Sequence, residues 1–302
     1  MRKSFYLIIW INYVDNPLFP GVLEQERQHD EKTLSRALYN HIWLGHYYDQ
    51  VDNTIIPVDW FDAAIDAHKK LGFKAEGAII AAHDPSDEGA DSKGYCLRHG
   101  SVVLDIAEND KGDSNEGMDW AIDKAVGAGA DWFVWDCDGL GISLKRQVDT
   151  ALEHKHIDYF MFRGSEGAED PDVTYIDSSD RDSKKIKTNK ETFLNRRAQY
   201  YWKLRDRFYS TYRAVTKGEY IAPDELLSLS SDITCLDQLR AEVCRIPLKR
   251  NNNGKIQIMS KLDMSKKPYE LPSPNMADSL MMAMYAPKPK TKTKKINFKG
   301  WG

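Results

Sequence analysis

A ten-residue stretch from Trp132 to Gly141, Trp-Phe-Val-Trp-Asp-Cys-Asp-Gly-Leu-Gly, constrains the fold more than any other part of the chain. Its first four residues are apolar, aromatic or β-branched and are flanked by glycines, which predicts a short buried strand that runs into a turn. Asp136 stands where this strand ends. Ligands of open α/β sheets bind just outside the carboxyl ends of strands, so we expect Asp136 to lie at a functional site. The alternative is that Asp136 and Asp138 only shape the turn.

A second predicted strand, 77–84, also ends in an acid, Asp84. The predicted strands are 77–84, 95–99, 101–107, 132–135 and 157–162, with 255–261 as an edge strand. The predicted helices are 23–29, 33–48, 57–71, 118–126, 142–154 and 191–217, with a further helix and loop over 224–245. This order predicts an α/β fold with a mixed five-stranded sheet, right-handed crossovers and flanking helices.

A third acid, Asp278, lies in the segment Leu-Pro-Ser-Pro-Asn-Met-Ala-Asp-Ser-Leu that begins at Leu271. Ser273 is a suitable N-cap and Pro274 a suitable first helical residue, so a helix is predicted to begin there. Asp278 then falls one turn into a largely apolar helix. A carboxylate on such a helix is costly unless something compensates it, which favours a functional role.

The three acids predict a metal site if the sheet brings them to one edge. Two carboxylates about 4 Å apart repel each other by roughly 4 kcal/mol at an effective dielectric of 20, so such a cluster needs raised pKa values or divalent cations. Oxygen ligands without cysteine or histidine suit Mg²⁺ or Mn²⁺. Two such ions would activate a water and stabilise the leaving 3′ oxygen in phosphodiester hydrolysis. Asp138 and Asp87 are candidate auxiliary ligands.

Charge is distributed unevenly along the chain. Residues 1–140 carry 25 acids and 12 Lys or Arg, whereas residues 141–302 carry 21 acids and 30 Lys or Arg. Basic residues interleaved with Tyr and Trp over 181–217 fit either a solvated helix face or a surface that follows a nucleic-acid backbone. The candidate DNA-binding residues are Lys184, Lys185, Lys187, Arg196, Arg197 and Lys203. The tail 286–302 has six lysines and no acid, and we expect it to be attracted to polyanions.

Several classes of protein are disfavoured by the sequence. The apolar run near the amino terminus is too short for a signal peptide, and no stretch approaches the length of a membrane span, so no membrane partner is expected. The four cysteines contain no CxxC pair, which argues against structural zinc.

Six segments of the chain resemble the carboxyl-terminal nuclease domain of the large terminase subunit of tailed phages. They are 11–17 (Ile-Asn-Tyr-Val-Asp-Asn-Pro), 41–45 (His-Ile-Trp-Leu-Gly), the strand that ends at Asp84, 136–141 (Asp-Cys-Asp-Gly-Leu-Gly), 195–199 (Asn-Arg-Arg-Ala-Gln) and 273–280 (Ser-Pro-Asn-Met-Ala-Asp-Ser-Leu). The resemblance implies a ribonuclease H-like fold in which Asp84, Asp136 and Asp278 bind two Mg²⁺ or Mn²⁺ ions. It also implies a metal-dependent endonuclease that cuts concatemeric double-stranded viral DNA.

The resemblance also divides the chain and suggests its partners. Residues 1–70 resemble the linker and the carboxyl-terminal end of the family's ATPase, 71–285 the nuclease domain with 163–190 as a loop insertion, and 286–302 a basic tail. No GxxxxGK[ST] loop occurs, so ATP hydrolysis is not expected of this chain. The implied partners are double-stranded DNA, the portal protein and the small terminase subunit. The implied location is the host cytoplasm, transiently at the procapsid portal.

Two other functions are compatible with the same residues. The chain could be a DNA- or portal-binding module that acts through its basic half with little catalysis of its own. It could also be a resolvase with a related ribonuclease H-like fold, although the Ser273-Pro-Asn segment and the 11–17 segment argue against that.

Overall fold

The computed structural model describes residues 12–33, 39, 42–45, 54–89, 91–175, 187–249 and 253–287. Its helices are α1 (Gly21–Thr33), α2 (Val58–Ala64), α3 (Ala67–Leu71), α4 (Ser114–Gly127), α5 (Lys145–Leu152), α6 (Asn189–Thr192), α7 (Arg196–Lys217), α8 (Leu236–Val243), α9 (Lys261–Met264) and α10 (Asn275–Met282). Its strands are β1 (Ile79–Asp84), β2 (Lys93–His99), β3 (Val102–Asn109), β4 (Trp132–Asp136), β5 (Asp158–Phe162), β6 (Thr174–Tyr175), β7 (Lys187–Thr188) and β8 (Ser228–Leu229). Single 3₁₀ turns lie at Tyr13–Asp15, Gly139–Ile142 and Pro223–Glu225.

The main sheet is mixed, as predicted, with the strand order β5-β4-β1-β2-β3-β8. Strand β1 pairs in parallel with β4, and β4 in parallel with β5. On its other side β1 pairs antiparallel with β2, which forms the predicted hairpin with β3. The two-residue strand β8 adds a sixth member beside β3.

The sheet is covered on both faces by apolar layers. Ile80 and Ala82 of β1 belong to one core cluster, whereas Ala81 between them belongs to the other, because successive side chains of a strand point to opposite faces. Helices α2, α7, α8 and α10 contribute to the first cluster, and α4 and α5 to the second. Among the described residues, no helix combines the length and apolar character needed to cross a bilayer.

The predicted helix 57–71 is two helices, α2 and α3, because the chain joins the sheet edge between them. Ile65 forms a bridge with Leu229, and the N–H of Asp66 donates to the Leu229 carbonyl at 2.8 Å. Asp66 has a left-handed backbone conformation with φ 51°, which ends the first helix. Phe61 of α2 stacks on Phe208 of α7, with ring centroids 5.7 Å apart. The residues of α2, which precede position 71, therefore share the core of the sheet.

Two further predictions of secondary structure are wrong. The predicted helix 191–217 is interrupted before α7, where Asn195 is the N-cap and its side chain accepts from the N–H of Ala198 at 2.9 Å. The predicted edge strand 255–261 forms only isolated bridges through Ile256 and Ile258 in the described structure. Lys261 instead begins the short helix α9, which Ser260 caps.

The segment 163–190 was predicted as a loop, and its described part contains the small β6–β7 pair and the start of α6. Residues 176–186 lie outside the described residues, and so does most of the predicted helix 33–48. The predicted helix 142–154 is shorter, because a 3₁₀ turn precedes α5.

Candidate active site

Two of the predicted acids end neighbouring parallel strands. In the register of β1 with β4, Ala82 lies opposite Val134 and His83 opposite Trp135, so that Asp84 and Asp136 follow at the same level. Adjacent strands lie about 4.8 Å apart, so these two carboxylates share one end of the sheet. Asp84 is buried and Asp136 is half-buried. The prediction that the strand ends bring these acids together is met.

The glycine-rich turn after β4 folds back tightly against the end of the strand. The Trp135 indole Nε1 donates to the Gly141 carbonyl at 2.9 Å. A Cβ on Gly141 would lie 1.7 Å from the Asp136 carbonyl oxygen, so only glycine fits there. The N–H of Asp138 donates to Asp136 Oδ1 at 2.9 Å and orients that carboxylate. The turn therefore orients the Asp136 carboxylate at the end of the strand.

Asp278 reaches the same end of the sheet from α10, whose residues are all buried. Strand β2 approaches this helix closely at Gly94, where an added Cβ would lie 2.2 Å from the Asn275 carbonyl oxygen. The helix starts one residue later than predicted, and Pro274 occupies the N-cap position without a side-chain cap bond. Ser273 is therefore not the N-cap, and its hydroxyl donates to Asn275 Oδ1 at 2.7 Å.

A lysine that the sequence analysis missed joins Asp84 to Asp278. Lys261 Nζ lies 2.6 Å from Asp84 Oδ2 and 3.1 Å from Asp278 Oδ2, so these two oxygens are no more than about 6 Å apart. It also donates to Asn275 Oδ1 at 3.2 Å. The ammonium group therefore supplies a positive charge between the two acids.

Asp278 has two further partners on α7. Arg197 Nη2 donates to Asp278 Oδ1 at 3.1 Å, and the Tyr201 hydroxyl donates to the same oxygen at 2.6 Å. Arg197 is itself fixed by a bond from Nη1 to the Met259 carbonyl at 2.9 Å. One turn of helix separates these two donors, so α7 presents both of them to the same carboxylate oxygen.

The three carboxylates have different proton affinities. Burial, with the nearby Asp278 charge, raises the pKa of Asp84 to about 6 against the opposing effect of Lys261. Burial and the Asp84 charge raise the pKa of Asp136 to about 7. Burial acts to raise the pKa of Asp278 as well, but Arg197 and Lys261 outweigh it and hold that pKa below its ordinary value. The site is therefore short of positive charge around Asp136 and well supplied around Asp278.

The donor set fits a hard divalent cation. The converging groups are carboxylate oxygens, which are the ligands that Mg²⁺ and Mn²⁺ prefer. Asp278 Oδ2 is buried and accepts no hydrogen bond, although the Lys261 ammonium lies close to it. In the described part of the chain, no three Asp, Glu, His or Cys side chains surround a single point closely enough to hold an ion. Lys261 stands between two of the acids, Asp84 and Asp278.

The structure places the two candidate auxiliary ligands differently. Asp138 accepts from the Ser165 N–H and hydroxyl, each at 2.8 Å, and so holds the loop that follows β5. Asp87 accepts from the Ser114 N–H at 3.3 Å. Asp87 also lines an open cavity of about 450 Å³ that Lys261 shares.

The predicted DNA-binding residues do not form one uniform surface. Arg197 belongs to the carboxylate site. Arg196 forms an ion pair with Glu166 at 2.9 Å, and Lys203 one with Glu169 at 3.1 Å. Lys187 is exposed in β7, while Lys184 and Lys185 lie outside the described residues.

A mixed sheet with acids at the ends of adjacent parallel strands, completed by an acid from a late helix, defines the class of ribonuclease H-like nucleases. Comparison with solved structures gives matches at 48% sequence identity to the nuclease domain of the large terminase subunit gp2 of bacterial virus Sf6. That domain superposes with a TM-score of 0.73, and the match covers 78% of this chain and 100% of the relative.

The same relative is also matched as a lysine-to-alanine variant with manganese and β-thujaplicinol, at a TM-score of 0.73, and with calcium, at 0.71, with the same identity and coverage. No protein-family model and no curated protein matched the sequence. The chain belongs to the family of nuclease domains of phage large terminase subunits.

Proposed function

We propose that this chain is a metal-dependent endonuclease that cuts concatemeric double-stranded DNA during viral genome packaging. The observation that carries this proposal is the convergence of Asp84, Asp136 and Asp278 at one end of the sheet. Membership of the terminase nuclease family supports DNA as the substrate, and the structures of the Sf6 relative with manganese and with calcium support the use of a divalent cation.

Asp84, Asp136 and Asp278 are the residues that would hold two Mg²⁺ or Mn²⁺ ions. When bound, such ions supply a polarised phosphate and a nucleophilic water at neutral pH. Asp136, whose pKa is about 7, is the acid whose charge is least compensated by neighbouring cations. It therefore gains most from a cation and is the first residue to test.

Lys261, Arg197 and Tyr201 prepare the carboxylates for this role. Arg197 and Tyr201 hold Asp278 Oδ1, which leaves Oδ2 to face Lys261. Lys261 compensates the negative charges of Asp84 and Asp278 until a bound cation does so instead. Arg197 and Tyr201 thus hold a metal ligand in place, whereas Lys261 occupies a position that a bound cation would take.

The remaining assignments are part of the same proposal. Asp138 acts mainly by holding Asp136 and the loop at Ser165, and Asp87 contributes to the open cavity beside Lys261. Arg196, Lys203 and Lys187 contact the DNA backbone, as do Lys184 and Lys185. The portal protein and the small terminase subunit are the proposed protein partners, in the host cytoplasm.

We also propose that the compact nuclease unit extends further towards the amino terminus than position 71. Ile55 and Ile56 are buried in the core cluster that contains Leu204 and Leu280. Residues before this point would then form the connection to the ATPase part of such a motor, and 286–302 would form a basic tail.

Supercoiled plasmid cleavage tests the proposal. Wild type and Asp136→Asn are compared in Mn²⁺, Mg²⁺ and EDTA, and Asp105→Asn serves as a matched control because Asp105 forms a half-exposed pair with Lys124 away from the site. We expect nicking and linearisation that need the metal and are lost only in Asp136→Asn. Salt-sensitive DNA binding without cleavage by wild type would instead support a binding module.

A further inference from the structure

Helix α10 carries Asp278, yet it begins without a cap of its own. The first N–H groups of a helix have no partner within the helix. Pro274, the N-cap residue, has no side-chain acceptor. The first backbone hydrogen bond of the helix runs from the Asp278 N–H to the Pro274 carbonyl at 2.8 Å. The N–H groups just before Asp278 therefore need an acceptor from elsewhere in the chain.

That acceptor is Glu242 on α8. Its Oε2 accepts from the N–H of Ala277, the residue before Asp278, at 2.9 Å. Burial raises the pKa of Glu242 to about 8, against the opposing effect of the backbone N–H groups of Ala277 and Met276. Glu242 is half-buried and lines a cavity of about 310 Å³ outside the carboxylate site.

The opposite end of α10 is held by a buried arginine. Arg98 of β2 donates through Nε to the Ala283 carbonyl at 2.7 Å and through Nη2 to the Tyr285 carbonyl at 3.0 Å. The Arg98 cation matches the negative partial charge at the carboxyl-terminal end of the helix, whereas Glu242 acts at the other end as a hydrogen-bond acceptor. The helix is thus fixed at both ends by side chains from other elements.

We propose that Glu242 is a positioning residue that sets the place of the Asp278 carboxylate by holding the start of α10. This inference rests on the proposed metal site. Glu242 has no described contact with Asp84, Asp136 or Lys261. It contacts α10 at the backbone N–H of Ala277 and lies near enough to Asp278 for the two charges to interact. The groups around a metal ligand commonly change metal affinity by 10- to 100-fold when they are removed.

The test compares Glu242→Ala and Glu242→Gln with wild type, and Gln238→Ala serves as the control because Gln238 lines the same cavity from α8. In metal-free protein, hydrogen exchange at Met276 and Ala277 should become faster in Glu242→Ala and change little in Glu242→Gln, which keeps an acceptor oxygen. By calorimetry, the Kd for Mn²⁺ should weaken about tenfold in Glu242→Ala. The KM for DNA should stay unchanged, and saturating Mn²⁺ should restore kcat.

Unchanged Mn²⁺ affinity and unchanged exchange in folded Glu242→Ala would overturn the inference. If that variant does not fold, Glu242→Asp replaces it, because its shorter side chain withdraws the carboxylate and should weaken Mn²⁺ binding as well. Wild type that binds no Mn²⁺ would contradict the proposed metal site. The exchange rates at Met276 and Ala277 would still decide whether Glu242 holds the helix.

Discussion

The end of the sheet that carries Asp84, Asp136 and Asp278 differs from the outer surface of helix α7 in how deeply its acidic groups are buried. At the sheet end, Asp84 and Asp278 are buried, and two cations from distant parts of the chain lie against them. Along the outer part of α7, Arg196 and Lys203 pair with Glu166 and Glu169 of the segment after β5, whose carboxylates are more exposed than those of Asp84 and Asp278. Removing one partner of a buried ion pair lowers the stability of the fold strongly, whereas exposed ion pairs contribute little to stability. The predicted effects therefore span a wide range.

The largest effect is expected for Asp278→Ala. The change leaves Arg197 and Lys261 without their shared carboxylate, and breaking a buried pair costs about 3–5 kcal/mol. Urea unfolding should show this loss of stability, and DNA cleavage should disappear. Asp278→Asn keeps an acceptor for the Tyr201 hydroxyl and should lose cleavage with a smaller loss of stability. A loss below about 1 kcal/mol in Asp278→Ala would place Asp278 with the exposed pairs.

Lys261→Met should separate metal binding from metal-free stability. Without the ammonium, Asp84 and Asp278 repel each other, so the metal-free protein should melt at a lower temperature at pH 8. A cation no longer has to displace Lys261, and Mn²⁺ should bind on the order of tenfold more tightly, which corresponds to about 1.4 kcal/mol. Lys249→Met is a suitable control, because Lys249 forms a half-exposed pair with Asp263. Weaker Mn²⁺ binding by Lys261→Met would show that the ammonium does not compete with the cation.

The raised pKa values predict how metal-free stability depends on pH. A carboxyl group whose pKa rises on folding stabilises the fold while protonated, and this contribution is lost as pH rises through the folded value. For Asp136 that value is about 7, so its contribution falls as pH rises from about 4 to 7, and between pH 6.5 and 8.5 it should still decline in EDTA by on the order of 1 kcal/mol. Glu242, whose pKa burial raises to about 8, adds a decline of the same sign over this range. Buried His83, with a pKa near 4, has the opposite effect but only below pH 6.5.

Asp136→Asn isolates this contribution. The variant should be more stable than wild type at pH 8.5 in EDTA, and its stability should vary less between pH 6.5 and 8.5. Thermal unfolding at several pH values measures both quantities. A parallel decline in the two proteins would assign the pH dependence to another group.

The smallest effects are expected on the α7 surface. Arg196→Gln should weaken DNA binding two- to threefold and lower the salt slope by about 0.9, the contribution of one phosphate contact. Glu166→Gln should strengthen binding slightly, because it releases Arg163 and Arg196. Binding titrations at 50 to 200 mM salt measure both changes. A hundredfold loss of DNA affinity in Arg196→Gln would show that Arg196 acts at the carboxylate site and not on the outer surface of α7.

The sequence predicted the acids and missed their partners for a physical reason. Asp84 and Asp136 each follow a short apolar run, so local pattern places them at strand ends, and pairing of those strands in parallel brings them together. Lys261 touches Asp84 across 177 positions of sequence, from a segment whose pattern suggested a strand. No local periodicity encodes such a contact.

Errors in the elements have similar causes. Ile256 and Ile258 alternate with polar residues as in a strand, but they bridge only to Phe193 and Leu248. The break at Ile65–Asp66 is imposed by the sheet edge and not by a glycine or a proline. Tertiary contacts overrode local propensity in both places.

The parallel pairing of β1 with β4, closed by Lys261 and Asp278 far along the chain, has a consequence for synthesis. A ribosome releases the first two acids long before the lysine and the third acid, so a nascent chain up to about residue 250 contains the sheet strands without a complete site. Contacts between such distant residues also slow folding, because closing the long intervening chain costs entropy before the contact stabilises anything. A nascent chain can therefore complete its cutting site only after the segment that carries Lys261 and Asp278 has been translated and folded.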